Sequence, residues 1–84
     1  MNFSKSYFQK LSEGDKASLV LDNGKQISTR KIENYFVSLY SIDDFMVEIW
    51  YHSGTKKIDK VEIIEDHSIL DKYIDEEVNR KKAR

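Results

Sequence analysis

The 84-residue sequence predicts a small α+β protein in which helices flank an antiparallel β-sheet. Two observations predict this class. Apolar residues recur at helical spacing near the two ends of the chain. Between the ends, short runs rich in β-branched and aromatic residues alternate with turn residues, as in strands joined by tight turns. The expected order is an N-terminal helix, a five-stranded antiparallel meander and a C-terminal helix, in one domain spanning residues 1–84.

The first helix is expected in the stretch NFSKSYFQKLSEGDK. Its apolar residues fall at i, i+4, i+5 and i+8, on one helix face: Phe3, Tyr7, Phe8 and Leu11. Asn2 or Ser4 is the expected N-cap, and Gly14 is the expected left-handed residue past the helix end.

The segment ASLVLDNGKQISTRKI predicts the first two strands. Asn23-Gly24 is expected to form the turn between them, because Asn-Gly is the preferred pair for a type I′ hairpin. The apolar residues of the first strand share one face: Ala17, Leu19 and Leu21. The second strand, about residues 26–32, is β-branched but polar and is expected at a sheet edge. Three basic residues would keep that edge from pairing with another chain: Lys25, Arg30 and Lys31.

Strands three and four lie in FVSLYSIDDFMVEIWYH, residues 36–52. A two-residue turn at Asp43-Asp44 sets their register, since a slip of one residue would exchange the two faces. One face then carries Phe36, Ser38, Tyr40, Ile42, Phe45, Val47, Ile49 and Tyr51. The other carries Tyr35, Val37, Leu39, Ser41, Met46, Glu48, Trp50 and His52. If one helix covers each face, both faces are core. If both helices cover the Phe36 face, the Trp50 face must meet a partner or a second copy.

The remaining sequence predicts strand five over IDKVEIIE, after a turn at Ser53-Gly54, and then the C-terminal helix. The helix has an apolar stripe at helical spacing: Leu70, Tyr73, Ile74 and Val78. Asp66 or Ser68 is the expected N-cap, and residues 80–84 form a basic end that is expected to fray.

A helix followed by five short antiparallel strands resembles the outline of Sm-like proteins, a branch of the SH3-like small barrels. The stretch SLVLDNGKQIS is similar to the strand-turn-strand that opens such a barrel, and the resemblance covers about residues 3–64. The Asp/Asn and Arg-Gly RNA-contacting motifs of that family are not found in the sequence. The resemblance therefore implies a topology, as a small barrel or an open twisted sheet, and no functional residue.

Composition restricts the function classes. Without cysteine the chain has neither disulfides nor a thiolate zinc site. The net charge of −1 argues against general nucleic-acid binding. No apolar run reaches the length of a signal peptide or a membrane span, so a cytoplasmic protein without membrane association is expected.

Catalytic and metal sites are not predicted either. Asp66-His67-Ser68 are adjacent at a helix start, whereas a catalytic triad requires convergence in space. The acids around Asp43 and Glu48 have neither EF-hand nor zinc-helix spacing. We therefore expect no enzyme activity, no metal and no cofactor.

The leading hypothesis is a non-catalytic interaction module whose partner is another protein or a second copy of itself. Trp, Tyr and Met are enriched in such contacts, and the candidate partner surface consists of Tyr35, Met46, Glu48, Trp50 and His52.

Two alternatives remain open. A nucleic-acid-binding barrel requires the basic side chains to converge: Lys25, Arg30, Lys31, Lys56, Lys57 and Lys60. An acidic decoy that captures a basic partner requires the carboxylates to converge: Glu62, Glu65, Asp71, Asp75, Glu76 and Glu77.

Overall fold

The computed structural model describes residues 4–65, and within them the chain forms two N-terminal helices and an antiparallel sheet. The helices are α1 (Lys5–Gln9) and α2 (Glu13–Asn23), and the strands are β1 (Lys25–Ile32), β2 (Tyr35–Ile42), β3 (Phe45–His52) and β4 (Lys57–Ile63). The sheet order is β1-β2-β3-β4. The α+β class and the antiparallel meander are confirmed for this part of the chain, with four strands instead of five. The predicted C-terminal helix lies outside the described residues.

Helix α1 begins where one of the two proposed caps stands. The Tyr7 amide donates to Ser4 Oγ at 3.1 Å, which satisfies one of the free amides at the helix start. Phe8 is the buried residue of this helix, and its ring meets Phe45 edge to face with centroids 5.5 Å apart. This contact attaches α1 to the sheet.

The first predicted strand is wrong, because its residues lie in α2. Ser12 is the N-cap and accepts a hydrogen bond from the Asp15 amide at 3.2 Å. An acid in the first turn also complements the helix dipole. The buried residues Ala17 and Val20 are three positions apart, so burial follows the helical period and not the alternation read from the sequence.

The two glycine assignments in this region are also wrong. Gly14 lies in the first turn of α2 and not past the end of a helix. Asn23 is the last residue of α2, and its side-chain amide donates to the Leu19 carbonyl at 3.1 Å. Gly24 caps the helix with φ −85°, and its amide donates to the Val20 carbonyl at 2.7 Å. Asn-Gly therefore ends a helix here and forms no type I′ turn.

Strand β1 is the edge strand expected from its polar sequence. It joins β2 through the two-residue turn Glu33-Asn34, with Ile32 opposite Tyr35. Glu33 has a positive φ of 51°, which the primed hairpin turns require at their first position. A bulge at residue 27 shifts the pairing between the two halves of the strand.

The predicted β2–β3 register is confirmed along its whole length. Ile42 lies opposite Phe45, and the pairing continues without a shift to Tyr35 opposite His52. Asp43, the first turn residue, has a positive φ of 54°. A turn of two residues and a side-chain period of two leave no freedom in the pairing.

Strand β4 corresponds to the strand predicted last, and it pairs only with β3. Within residues 4–65, β1 and β4 remain unpaired with each other, so the sheet is open and the barrel expectation is wrong there. The resemblance to Sm-like proteins fails at the same point, because SLVLDNGKQIS spans the end of α2 and the start of β1.

Both described helices pack on the Phe36 face of the sheet, called here the helix-covered face. The core on this side consists of Phe8, Ala17, Val20, Ile42, Phe45, Val47, Ile49 and Val61. Glu13 attaches α2 to the outer edge of β4, because its Oε2 accepts the Val61 amide at 2.9 Å.

On the opposite face, called the Trp50 face, Val37 and Leu39 are buried and Ile64 packs with Leu39 and Met46. Neither described helix has the length and apolarity to cross a membrane.

Candidate interaction surfaces

Three of the five predicted partner-surface residues form one aromatic cluster at an end of the Trp50 face. The register brings them together: Tyr35 starts β2 directly opposite His52 in β3, and Trp50 lies two residues before His52. The rings of Tyr35 and His52 meet edge to face with centroids 4.9 Å apart, and those of Tyr35 and Trp50 at 5.6 Å. This perpendicular geometry is the one that aromatic pairs prefer.

A β-bulge adds Asp59 to this cluster. Lys60 pairs with Trp50 and Ile58 with Tyr51, so Asp59 is the extra residue between them. The Tyr35 hydroxyl donates to Asp59 Oδ2 at 2.7 Å. This hydrogen bond raises the pKa of Tyr35 above its ordinary value of 10.0, and desolvation and the carboxylate charge act in the same direction.

Lys60 completes the cluster from the neighbouring strand. Its Nζ lies 4.4 Å from the centroid of the Trp50 ring, well inside the range of a cation–π interaction. The same ammonium lies 3.7 Å from Glu62 Oε1. Tyr35, Trp50, Asp59 and Lys60 line a surface depression of about 270 Å³.

Glu48 supports Trp50 from below the surface. Its side chain is fully buried, and its two oxygens have different donors: Arg30 Nη2 reaches Oε2 at 3.3 Å and Trp50 Nε1 reaches Oε1 at 3.3 Å. The Arg30 side chain is itself 9% exposed. A buried carboxylate in this position orients the indole ring, and we assign Glu48 that positioning role because it has no exposed surface to offer a partner.

His52 is engaged by the β3–β4 loop. Its Nδ1 accepts the Gly54 amide at 3.1 Å and the Thr55 amide at 3.0 Å. A nitrogen that accepts two amides keeps its lone pair, so this geometry requires the tautomer protonated at Nε2. The ring therefore orders the loop and supports Tyr35.

Met46, the fifth predicted residue, lies near the opposite end of the Trp50 face. It pairs with Ser41 beside the Asp43-Asp44 turn and packs against Leu39 and Ile64. The structure thus places Met46 apart from the aromatic cluster. Sequence reasoning missed Asp59 and assigned Lys60 to the nucleic-acid hypothesis, because their positions beside Trp50 depend on a bulge that has no marker in the sequence.

A second surface lies on the helix-covered face, beside α2. There a groove of about 410 Å³ is lined by Leu21, Phe36, Ser38, Tyr40, Ile49, Tyr51 and Ile58. Leu21 is 53% exposed, Phe36 40% and Ile58 38%. Large apolar side chains that are contiguous and this exposed are typical of contact surfaces.

The described part of the candidate acidic surface has cations close by. Glu62 lies 3.7 Å from Lys60, and Glu65 lies 3.3 Å from Lys5 on α1. The other four members lie outside the described residues: Asp71, Asp75, Glu76 and Glu77.

Four of the six basic residues of the nucleic-acid hypothesis pair with residues of the Trp50 face: Lys25, Arg30, Lys57 and Lys60. Two of these four are engaged within the protein. Arg30 is buried against Glu48, and Lys60 lies over Trp50. Lys31 lies on the helix-covered face, where its Nζ is 5.8 Å from the Phe36 ring centroid. Among residues 4–65, no three histidine or acidic side chains are grouped so that they could hold a metal ion.

Comparison of the chain with protein-family models, with curated proteins and with solved structures found no match. Function therefore has to be inferred from the two surfaces described above.

Proposed function

We propose that this chain is a small non-catalytic interaction module that self-associates through the apolar groove on the helix-covered face. The observation that carries the proposal is the exposure of Leu21, Phe36 and Ile58 around a groove of about 410 Å³. Two of these residues belong to the sheet and one to α2, so the groove is part of the folded framework. Burying such a patch against a partner is favourable in proportion to its apolar area.

A second copy fits this groove for two reasons. The groove is lined by the exposed ring of Phe36, so two copies related by a twofold axis can bury this ring against each other. The net charge of −1 leaves little electrostatic repulsion between two copies.

The absence of catalysis is proposed from the way the candidate acid-base groups are used. The His52 Nδ1 accepts two backbone amides, and the Glu48 carboxylate accepts from Arg30 and Trp50. Groups committed to structural hydrogen bonds are poorly suited to transferring protons to a substrate. The nucleic-acid and acidic-decoy alternatives gain less support, because Arg30 is buried against Glu48, Lys60 lies over Trp50, and the described acids Glu62 and Glu65 lie beside lysines.

Sedimentation velocity over a wide dilution series tests self-association. We expect the unmodified chain to dissociate from dimer to monomer on dilution, and Phe36→Ser to be monomeric at every concentration. Ile27→Ser is the matched control, because Ile27 is also an exposed apolar residue of the sheet, 48% exposed, but lies outside the groove. It should dimerise like the unmodified chain. A monomer throughout, up to millimolar concentration, would contradict the proposal, and so would equal weakening by both substitutions.

A further inference from the structure

The aromatic cluster on the Trp50 face has the chemistry of a cation site. The Trp50 ring already attracts one ammonium, with Lys60 Nζ 4.4 Å from its centroid. Tyr35 forms a second wall at an interplanar angle of 70° to Trp50. The Asp59 carboxylate adds negative charge at the rim of the same depression. Aromatic faces combined with a carboxylate favour organic cations over neutral groups of the same shape.

The walls of the depression are held in place before any ligand binds. The Trp50 indole donates to the buried carboxylate of Glu48 at 3.3 Å. The Tyr35 hydroxyl is held by Asp59 at 2.7 Å, and its ring by the edge-to-face contact with His52. A site that needs no ordering on binding retains more of its interaction energy as affinity.

Lys60 is positioned to leave the site. Its side chain is 49% exposed, and Glu62 Oε1 on the same strand, already 3.7 Å from its Nζ, can remain its partner when the ammonium leaves the ring. A cation from outside can therefore replace the ammonium over Trp50 without leaving Lys60 buried and uncompensated. The volume of about 270 Å³ suits one alkylammonium group and is below the size of most drug-sized pockets.

We propose that Tyr35, Trp50 and Asp59 form a binding site for an alkylammonium group, and that Lys60 is its internal occupant. The site is on the opposite face from the self-association groove, so it extends the proposed function and does not depend on it. The ligand group is either a small quaternary ammonium compound or the side chain of a methylated lysine.

The experiment titrates tetramethylammonium chloride against the protein at constant ionic strength and follows the fluorescence of Trp50, the single tryptophan of the chain. We expect saturable binding, which Lys60→Met strengthens about two- to fivefold because an internal competitor is removed. Lys57→Met is the matched control, since Lys57 is an exposed lysine of the same strand, and it should leave the affinity unchanged. In the Lys60→Met background, Asp59→Asn and Tyr35→Leu should each weaken binding.

Neutral 3,3-dimethylbutanol separates a cation site from a general apolar pocket, because it has the shape of choline without the charge. Equal binding of this alcohol and choline would overturn the proposal, as would a Lys60→Met variant that binds no better than Lys57→Met. Choline binding as tightly as a trimethyl-lysine peptide would support the site with a small-molecule ligand, and tighter peptide binding would support it with a protein ligand. The chemical shift of the Trp50 indole N–H resonance provides a second readout in the unmodified protein. If added tetramethylammonium caused no saturable change in this chemical shift, the proposal would also be overturned.

Discussion

The structure gives Glu48 a different role from the one that the sequence predicts. In the sequence it is an acid in the alternating pattern of a strand, which predicts a place on the candidate partner surface. In the structure its side chain is fully buried between the Arg30 guanidinium and the Trp50 indole. A buried charge is tolerated when it is paired and hydrogen-bonded, so the environment of Glu48 is built around its carboxylate.

We predict that Glu48→Ala lowers the free energy of unfolding by about 3–5 kcal/mol. The substitution leaves the Arg30 charge buried without its carboxylate, and breaking a buried pair at one end has a cost of this size. Urea unfolding followed by circular dichroism measures the change. Trp50 emission should shift in the folded variant as well, because the indole loses its acceptor.

Glu62→Ala is the matched control for this prediction. Its ion pair with Lys60 is about half exposed on both sides, and exposed pairs contribute about 0–1 kcal/mol. A double variant, Arg30→Met with Glu48→Leu, should recover much of the lost stability because it removes both buried charges. If Glu48→Ala and Glu62→Ala had equal effects, the buried pair would not be a stabilising feature.

The Arg30–Glu48 pair was within reach of sequence reasoning. Glu33-Asn34 is a two-residue turn, and counting from it places Arg30 opposite Val37, which the predicted hairpin already placed opposite Trp50. The pair is not predicted, because Asn23-Gly24, ten residues before Glu33-Asn34, is the stronger sequence signal for a hairpin turn.

At the level of elements, α2 shows why a short apolar segment is ambiguous. Apolar and other residues alternate over residues 17–21 as they would in a strand, yet the buried residues are Ala17 and Val20, which are at helical spacing. The signals that favour the helix are local and lie at its start: Ser12 as N-cap and acids in the first turn. The tertiary reason is the core cluster, in which Val20 and Ala17 pack with Phe8 over β2, β3 and β4.

We predict opposite effects for substitutions at two glycines, one in α2 and one at its C-terminal cap. Gly14→Ala should stabilise the protein by about 0.5–1 kcal/mol, because a Cβ there meets no atom within 4 Å and alanine is the better helix former. Gly24→Ala should destabilise by about 1–3 kcal/mol, because its Cβ would lie 2.7 Å from the Val20 carbonyl oxygen and 3.3 Å from that of Ser41. Thermal unfolding of the two variants measures both changes.

The sign at Gly14 separates the two interpretations of this region. If Gly14 were a left-handed helix end, as first expected, alanine would strain the backbone and destabilise the protein. A loss of stability in Gly14→Ala would therefore contradict α2 as described.

At the scale of the whole sheet, strand order decides which backbone amides of the described chain are most protected from exchange with solvent. Strands β2 and β3 have a partner on both sides, whereas β1 and β4 have one. The outer edge of β4 is partly protected, because Glu13 accepts the Val61 amide that faces away from the sheet. Edge strands otherwise present their backbone groups to solvent.

We predict that amide hydrogens of β2 and β3 exchange slowest, at rates set by global unfolding, and that those of α1 and the outer half of β1 exchange through local opening. Hydrogen exchange followed by nuclear magnetic resonance measures this order. The Val61 amide serves as an internal control: Glu13→Ala should speed its exchange and leave the β2–β3 amides unchanged. Uniform exchange across all four strands would mean that the sheet opens only as a unit.

The sequence by itself determined the α+β class, a first helix cap at either Asn2 or Ser4, and every pair of the β2–β3 hairpin. These follow from local rules, since a two-residue turn and a period of two leave one register. The tertiary structure decided between helix and strand for residues 17–23, where local signals conflict, and it alone decided that the sheet stays open and that Asp59 and Lys60 join Tyr35 and Trp50. Those outcomes depend on burial across the core and on a bulge between two strands, and both are energies of contact between residues far apart in the chain.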